Sequence, residues 1–271
     1  MRADGKRVKT NDHMYTLAPY FMVDRCDACN YTTVKIPYDP LHKYILKMRK
    51  SGFNFSHMSL VLAAYVRTLK TFPQMNYFVV NKKIYERNEI VVAMVVQRAD
   101  DAQSTMAKLK FGPDDTIFDI AKKIDEFIET NRQEDSNGTD KIMSVLTKFP
   151  AVLNFATSLL KWLDKHNLLP GAIIEVSPFH ESMVISNLAS IRGGSIYHHI
   201  YNFGTVGQIL TMGVPETETK VVGNEVVTQR YIPVGVACDE RIASGHEYVS
   251  AFRTMEHYLK NPELLELPPQ E

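Results

Sequence analysis

The chain has 271 residues, 45% of them apolar, with Lys plus Arg and Asp plus Glu balanced at 31 each and a sequence isoelectric point near 7.1. Such a length and apolar content can bury a substantial core in one large domain or two small ones. Balanced charge offers no global field for nucleic acid or an acidic surface, so nucleic-acid binding is disfavoured. The expectation is a single domain over residues 1–271 that carries an N-terminal arm, residues 1–30.

The basic start, MRADGKRVKT, is followed by no apolar run of leader length before Asp24 and Arg25 interrupt, which gives a cytoplasmic expectation. Cys26 and Cys29 form a Cys-x-x-Cys pair within an odd count of 3 cysteines. A structural zinc would want two further Cys or His ligands at similar spacing, and a redox pair would want a thioredoxin-like βαβ setting. Neither context follows, so ordinary free cysteines and no metal are expected.

Along the chain, Asp39 to Lys50 has helical spacing ended by Gly52, and Ser56 caps a second helix that runs to about Thr71 before Pro73. YFVVNKKIYERNEIVVAMVVQ then gives β-rich runs with polar breaks, the rhythm of antiparallel hairpins. Thr116 with Asp119 makes a capping box ahead of Ile117, Ile120, Ile124 and Phe127 at helical spacing. Gln133 to Thr139 is polar with an Asn-Gly step and reads as a flexible linker. From Val145 to Leu163 apolar residues recur every three or four positions, which predicts a core or subunit-interface helix. Pro150, Lys148 and Lys161 argue against a membrane span and leave membrane-surface association the weaker reading. Met183 to Ala237 alternates β-rich runs (MVISNL, IYHHIYNF, QILTMGV, KVVGNEVV, YIPVGVA) with turns, Val222 to Glu225 being a hairpin turn. Tyr248, Phe252, Met255 and Leu259 mark one face of a last helix that stops at Asn261 before Pro262.

The most chemically suggestive stretch is Tyr231 to Tyr248, a strand entering a turn and a helix, with Asp239, Glu240, Arg241, Ile242, Ala243, Ser244 and Gly245 at the junction. This corner resembles the Asp-His-Arg-x-x-Asp-Gly, or His-x-x-x-Asp-Gly, motif of the catalytic domain of 2-oxoacid dehydrogenase acyltransferases, to which chloramphenicol acetyltransferase is related. Asp239, Arg241 and Gly245 match; Glu240 stands where the histidine belongs and Ser244 where the supporting aspartate belongs. Ile185-Ser186-Asn187-Leu188 is similar to the family's oxyanion strand, Met212-Gly213-Val214 to its next strand, and Phe72 to Asn76 to its Phe-Pro-Glu-Leu-Asn turn. The resemblance extends from about Tyr31 to Leu265, with the specific motifs in the last third.

The resemblance implies an α/β two-layer fold of the chloramphenicol acetyltransferase type, a mixed sheet flanked by helices. It also implies acyl transfer between a coenzyme A thioester and a thiol, hydroxyl or amine acceptor, small or protein-borne, in a homotrimer. The serine at the place of Ser186 would donate to a tetrahedral oxyanion, a role worth about 2.7–4 kcal/mol where such a donor is fixed and dry. Glu240 is a poorer proton acceptor than histidine by about two pKa units, roughly 3 kcal/mol, unless burial raises it. His198 and His199, and His246 beyond the motif glycine, are candidate substitutes. Adjacent histidines on a strand would point to opposite faces and not share a metal. No lipoyl-type or partner-binding domain and no covalently bound lipoate are expected in this chain. The competing reading is a non-catalytic homologue acting as a trimeric binding or scaffold protein.

Overall fold

A computed structural model describes residues 2–10, 12–97, 104–133 and 150–269. Of the expected linker, Gln133 to Thr139, Gln133 ends a helix and residues 134–139 lie outside the described residues, as do residues 145–149 of the apolar run.

β1 (Gly5–Arg7) leads to α1 (His13–Phe21), β2 (Cys29–Pro37) and α2 (Tyr38–Lys50). α3 (His57–Thr71) opens with the capping box expected at Ser56, although the reciprocal partner is Ser59: each side chain accepts from the other residue's backbone N–H at 3.0 Å. Every α3 residue from Ser59 to Leu69 is buried, so this helix is the centre of the core and not an amphipathic cover. β3 (Tyr77–Val80), β4 (Lys83–Arg87), β5 (Ile90–Gln97) and β6 (Ser104–Phe111) follow, then α4 (Ile117–Gln133) behind its Thr116–Asp119 box. The chain continues through α5 (Pro150–Lys165), α6 (Gly171–Val176), β7 (Met183–Asn187), β8 (Gln208–Met212), β9 (Glu216–Val222), β10 (Glu225–Asp239) and α7 (Gly245–Lys260).

β2-β10-β8-β7-β5-β6 form a mixed sheet, extended by β9 pairing with β10; β7 runs parallel to both β5 and β8. β1-β4-β3 make a small antiparallel sheet. One face of the large sheet (Val92, Met94, Met183, Ile185, Leu210, Val234 and Val236) packs under α2, α3, α4 and α7 in one continuous core. Each such fully buried side chain is worth about 1.5–3 kcal/mol, and the period of two in β5, β7, β8 and β10 puts the alternate residues on the second face. Ala93, Val184, Ile209 and Ala237 lie there beneath Ile200 and Val206 of the segment that returns from β7 to β8.

That return segment departs from expectation: IYHHIYNF forms no strand. Its backbone is instead held by a side chain, with the Ile196 N–H donating to Thr211 Oγ1 at 3.0 Å and Thr211 Oγ1 donating back to the Ile196 carbonyl. The segment rides directly on the second face where that face is bare. A Cβ on Gly235 would stand 2.2 Å from the Ile196 carbonyl oxygen, and one on Gly213 would stand 2.4 Å from Ser195 N. Glycine is therefore required at both positions for close backbone approach.

α5 presents Val152, Phe155, Leu159 and Trp162 to solvent, Phe155 at 70% exposure. In the single chain this face is not core, as the sequence pattern allowed it to be. No helix among the described residues is long and apolar enough to cross a membrane.

Candidate active site

Ser186 sits near the C-terminal end of β7, half-buried on the second face. Cross-strand register carries it onto Thr211 of β8, then Gly235 of β10, then Thr33 of β2. Because Thr211 is occupied with Ile196, Ser186 lies beside the rim of the return segment.

The junction after β10 is built from charge. Asp239 is fully buried and accepts from Arg241 in fork geometry: Nε to Oδ1 at 2.9 Å, Nη2 to Oδ2 at 2.7 Å, and the Arg241 backbone N–H at 3.1 Å. Arg25 Nη2 approaches Asp239 Oδ2 at 3.5 Å and donates to the Val206 carbonyl, while Nη1 donates to the Gly204 carbonyl. Tyr248 donates to the Asp239 carbonyl at 2.8 Å. Burial works to raise the Asp239 pKa, but the Arg241 hydrogen bonds and the two guanidinium charges win and hold it below the ordinary carboxylate value. Burial conversely draws Arg25 down to about 10.

Glu240 is held through its backbone N–H, which donates to the Ala28 carbonyl at 2.8 Å, while its side chain is exposed. Burial, the route by which this carboxylate could become a stronger base, is thus not supplied within one chain. Arg241 is not its ion-pair partner either, being committed to Asp239. Ser244 has a structural duty: it is the N-cap of α7, closing a capping box with Glu247. Glu247 Oε2 accepts from Ser244 N at 2.7 Å and Ser244 Oγ at 2.8 Å, Tyr15 also donates to Glu247, and Gln74 Nε2 donates to Oε1 at 3.1 Å. Against burial, which raises it, those bonds leave the Glu247 pKa lowered. A hydroxyl at 244 therefore keeps the helix start in place by hydrogen bonds, and the ion pairs of this corner are made by Asp239, Arg241 and Arg25.

His198 and His199 do not point to opposite faces, because the segment is not a strand. Their rings stack at 5.0 Å and both meet the Tyr201 ring at 5.4 Å, and His198 Nδ1 lies 2.8 Å from the His199 carbonyl. His246 is exposed in the first turn of α7. Among the described residues no group of three His, Cys, Asp or Glu is placed to hold a metal ion, and Cys26, Cys29 and Cys238 are free thiols.

Ser186 and Glu240 are not brought together in one chain. Glu240 follows Gly235 by five residues, about 16 Å at 3.3 Å per residue, and two strand spacings of about 4.8 Å separate β7 from β10. Because β7 and β10 are antiparallel, the two residues lie towards opposite ends of the sheet.

On the first face, opposite to that of Ser186, a cavity of about 360 Å³ opens between α2, the start of α3 and the ends of β7 and β8, lined by His42, His57, Asp125, Asn187 and Met212 among others. Tyr38 stacks on His42 at 5.0 Å and on His57 at 5.2 Å. Among the described residues, the buried His57 Nε2 and Asn187 Oδ1 have no hydrogen-bond partner. Burial and the adjacent His42 lower the His57 pKa. The sequence reading missed these two histidines: no local pattern ties positions 42 and 57 to 187, which meet only through packing.

The sequence model of the 2-oxoacid dehydrogenases acyltransferase catalytic domain matches residues 179–267, the span that holds Ser186 and the Asp239 corner. No curated protein matches the chain. Among solved structures, a probable dihydrolipoamide acetyltransferase from Listeria monocytogenes superposes with a TM-score of 0.62 at 14% identity, over 94% of each chain. The dihydrolipoamide acetyltransferase of Azotobacter vinelandii, whose study names a serine, a histidine and an asparagine in its catalytic mechanism, gives 0.63 at 14% identity over 93% of this chain and 88% of that one. A chloramphenicol acetyltransferase gives 0.57 at 9% identity over 94% and 99%. The chain thus has the chloramphenicol acetyltransferase-like fold, and its residues 179–267 are recognised as sequence of the 2-oxoacid dehydrogenase acyltransferase catalytic domain.

Proposed function

We propose that the protein transfers an acyl group between a coenzyme A thioester and a thiol, hydroxyl or amine acceptor, with Ser186 as the oxyanion donor and Glu240 in the position of the base. The observation that supports this most is joint placement. Ser186 is fixed at the C-terminal end of β7, and an Asp239–Arg241–Arg25 cluster presents residue 240 at the other end of the same sheet. In the A. vinelandii enzyme the histidine and asparagine named for its mechanism are four positions apart, the separation of Glu240 from Ser244.

Two copies are needed for the reaction, since Ser186 and Glu240 of one chain lie too far apart to share a substrate atom. A homotrimer in which Ser186 of one copy faces residues 239–245 of the next satisfies this and would cover Glu240. Burial at that interface would raise its proton affinity. Residues 1–271 act as one catalytic unit in this reading, supported by the single large core shared by the sheet and its helices.

A second reading, a non-catalytic trimeric binding protein, is favoured by one observation: Ser244 is consumed in capping α7. Free-thiol release from acetyl-CoA and longer acyl-CoAs, with dihydrolipoamide, amines and alcohols as acceptors, separates the two. Turnover abolished in Ser186→Ala and Glu240→Gln supports the enzyme; coenzyme A binding with no turnover under any pairing supports the binding protein.

A further inference from the structure

Two strands away from Ser186, Lys108 of β6 extends over the second face of the sheet, in register with Ala93 of β5 and through it with Val184 of β7. Its Nζ reaches a separate cavity of about 360 Å³ between β6, α6 and the start of the chain. Two hydrogen bonds hold it there, to the carbonyls of Ile174 at 2.8 Å and His180 at 2.9 Å. A neutral amine has two N–H groups, so those carbonyls use both and leave the nitrogen lone pair free. At 3.9 Å lies the carboxylate of Glu181, which is 0% exposed and, among the described residues, has no hydrogen-bond partner on either oxygen. A buried carboxylate left without donors is costly as an anion, and proton transfer from the ammonium would relieve that cost.

We propose that Lys108 is a nucleophilic amine and a site of covalent acylation, and that the cavity admits small acyl thioesters to it. The Nζ lone pair attacks the thioester carbonyl carbon. A C–N bond forms, the C–S bond breaks, the thiol leaves as thiolate, and the proton shed by nitrogen passes through Glu181 to that thiolate. Product and leaving group are an amide on Lys108 and a free thiol, with no other co-reactant. The step does not depend on Ser186 or Glu240.

The surrounding charges fit this chemistry. Burial draws the Lys108 pKa down to about 8, against the carboxylates of Glu181 and Asp4 and with the help of Arg87 and Lys110, while burial pushes Glu181 upward. The proton is therefore shared between the two groups. Lys110, two residues on, is the internal contrast: it is paired with Glu89 at 3.0 Å and with Glu175 at 3.3 Å, and those contacts raise its pKa. His180, also lining the cavity, keeps its ring on Ser177 and Asp164 and gives Lys108 only its carbonyl. An amine near 8 is about a hundred times more deprotonated at pH 8 than an ordinary lysine near 10.4. With a Brønsted slope like that of thiols, about 0.4–0.5, lost nucleophilicity returns about a factor of ten, for a net advantage of about tenfold.

The test is acetylation of the intact wild-type protein by acetyl-CoA across pH 6.5–9.5, read by peptide mass spectrometry at Lys108 and Lys110 together. Lys108 should label at least tenfold faster than Lys110 at pH 8, with a midpoint near pH 8; equal or slower labelling overturns the proposal, and needs no variant that must fold. In Glu181→Gln the midpoint should fall, since a carboxylate that raises the amine's proton affinity is gone, and an unmoved midpoint also overturns it. Catalytic thiol release is scored separately in Lys108→Arg. Release retained in Lys108→Arg shows that the two sites are independent, and absent release in wild type with Lys108 labelling intact counts against the acyltransferase reading alone.

Discussion

Replacing Asp239 by Asn should be among the most damaging single changes in the fold. The side chain is fully buried and receives three hydrogen bonds from Arg241, with Arg25 at 3.5 Å. Both guanidiniums are themselves buried, so the variant leaves two cations facing a neutral amide. Breaking one partner of a buried pair costs about 3–5 kcal/mol, and Asn keeps one acceptor oxygen, which places the loss near 3 kcal/mol. Set against a typical total of about 5–15 kcal/mol, that is a large share of the stability. The pH dependence follows from sign. The folded pKa of Asp239 lies below its unfolded value, so the stabilisation is present above about pH 4 and is lost as pH falls through the folded value. Urea unfolding of wild type and Asp239→Asn at neutral pH, and again in steps below pH 4, should show a gap of about 3 kcal/mol that narrows on acidification. A neutral-pH gap below about 1 kcal/mol, or one that does not narrow, refutes the account of this cluster.

Ser244→Ala should cost about 1 kcal/mol in urea unfolding through loss of the α7 cap, whereas Ser244→Thr should cost a few tenths. Gly235→Ala should drive the return segment off the sheet, because its Cβ would fall 2.2 Å from the Ile196 carbonyl; trypsin should then cut after the exposed Arg192 at least tenfold faster than in wild type, in line with a cost of about 1.4 kcal/mol or more. His57 should titrate below the ordinary histidine value of about 6.5 in an NMR pH series, since burial lowers it. Being depressed in the fold, it makes the protein lose stability as pH falls from about 6.5 through the lowered value, and His57→Phe should remove that component of the slope.

Where structure is dictated by neighbours in sequence, it was legible. Ser56 and Thr116 announce their helices by capping chemistry, Gly223-Asn224 turns β9 into β10, and Asp239 to Gly245 marks a strand-to-helix corner by its motif. The return segment was not legible: Ile196, Tyr197 and Ile200 have strand-prone side chains, but Gly213, Gly235 and Thr211, which hold the segment as a loop, come later in the chain. Likewise nothing around Ser244 reveals that Tyr15 and Gln74 complete its cap, or that Arg25 serves Asp239. His42 and His57 gain interest only by lying against Asn187, and Lys108 only through Glu181, 73 positions further on. These are contacts between distant segments, and periodicity carries no trace of them.

The antiparallel run of β7 and β10 has a genetic consequence. If Ser186 and Glu240 of one chain belong to different catalytic centres, a chain crippled at the first and a chain crippled at the second are defective in different halves. Co-assembled, they can form one junction in which both halves are intact. Two individually dead alleles would then complement each other in one cell, whereas a doubly crippled chain would poison both centres it touches. In such an assembly the sheet's strand direction, fixed by pairings such as Ser186 with Thr211 and Thr211 with Gly235, would set how mutations combine between copies.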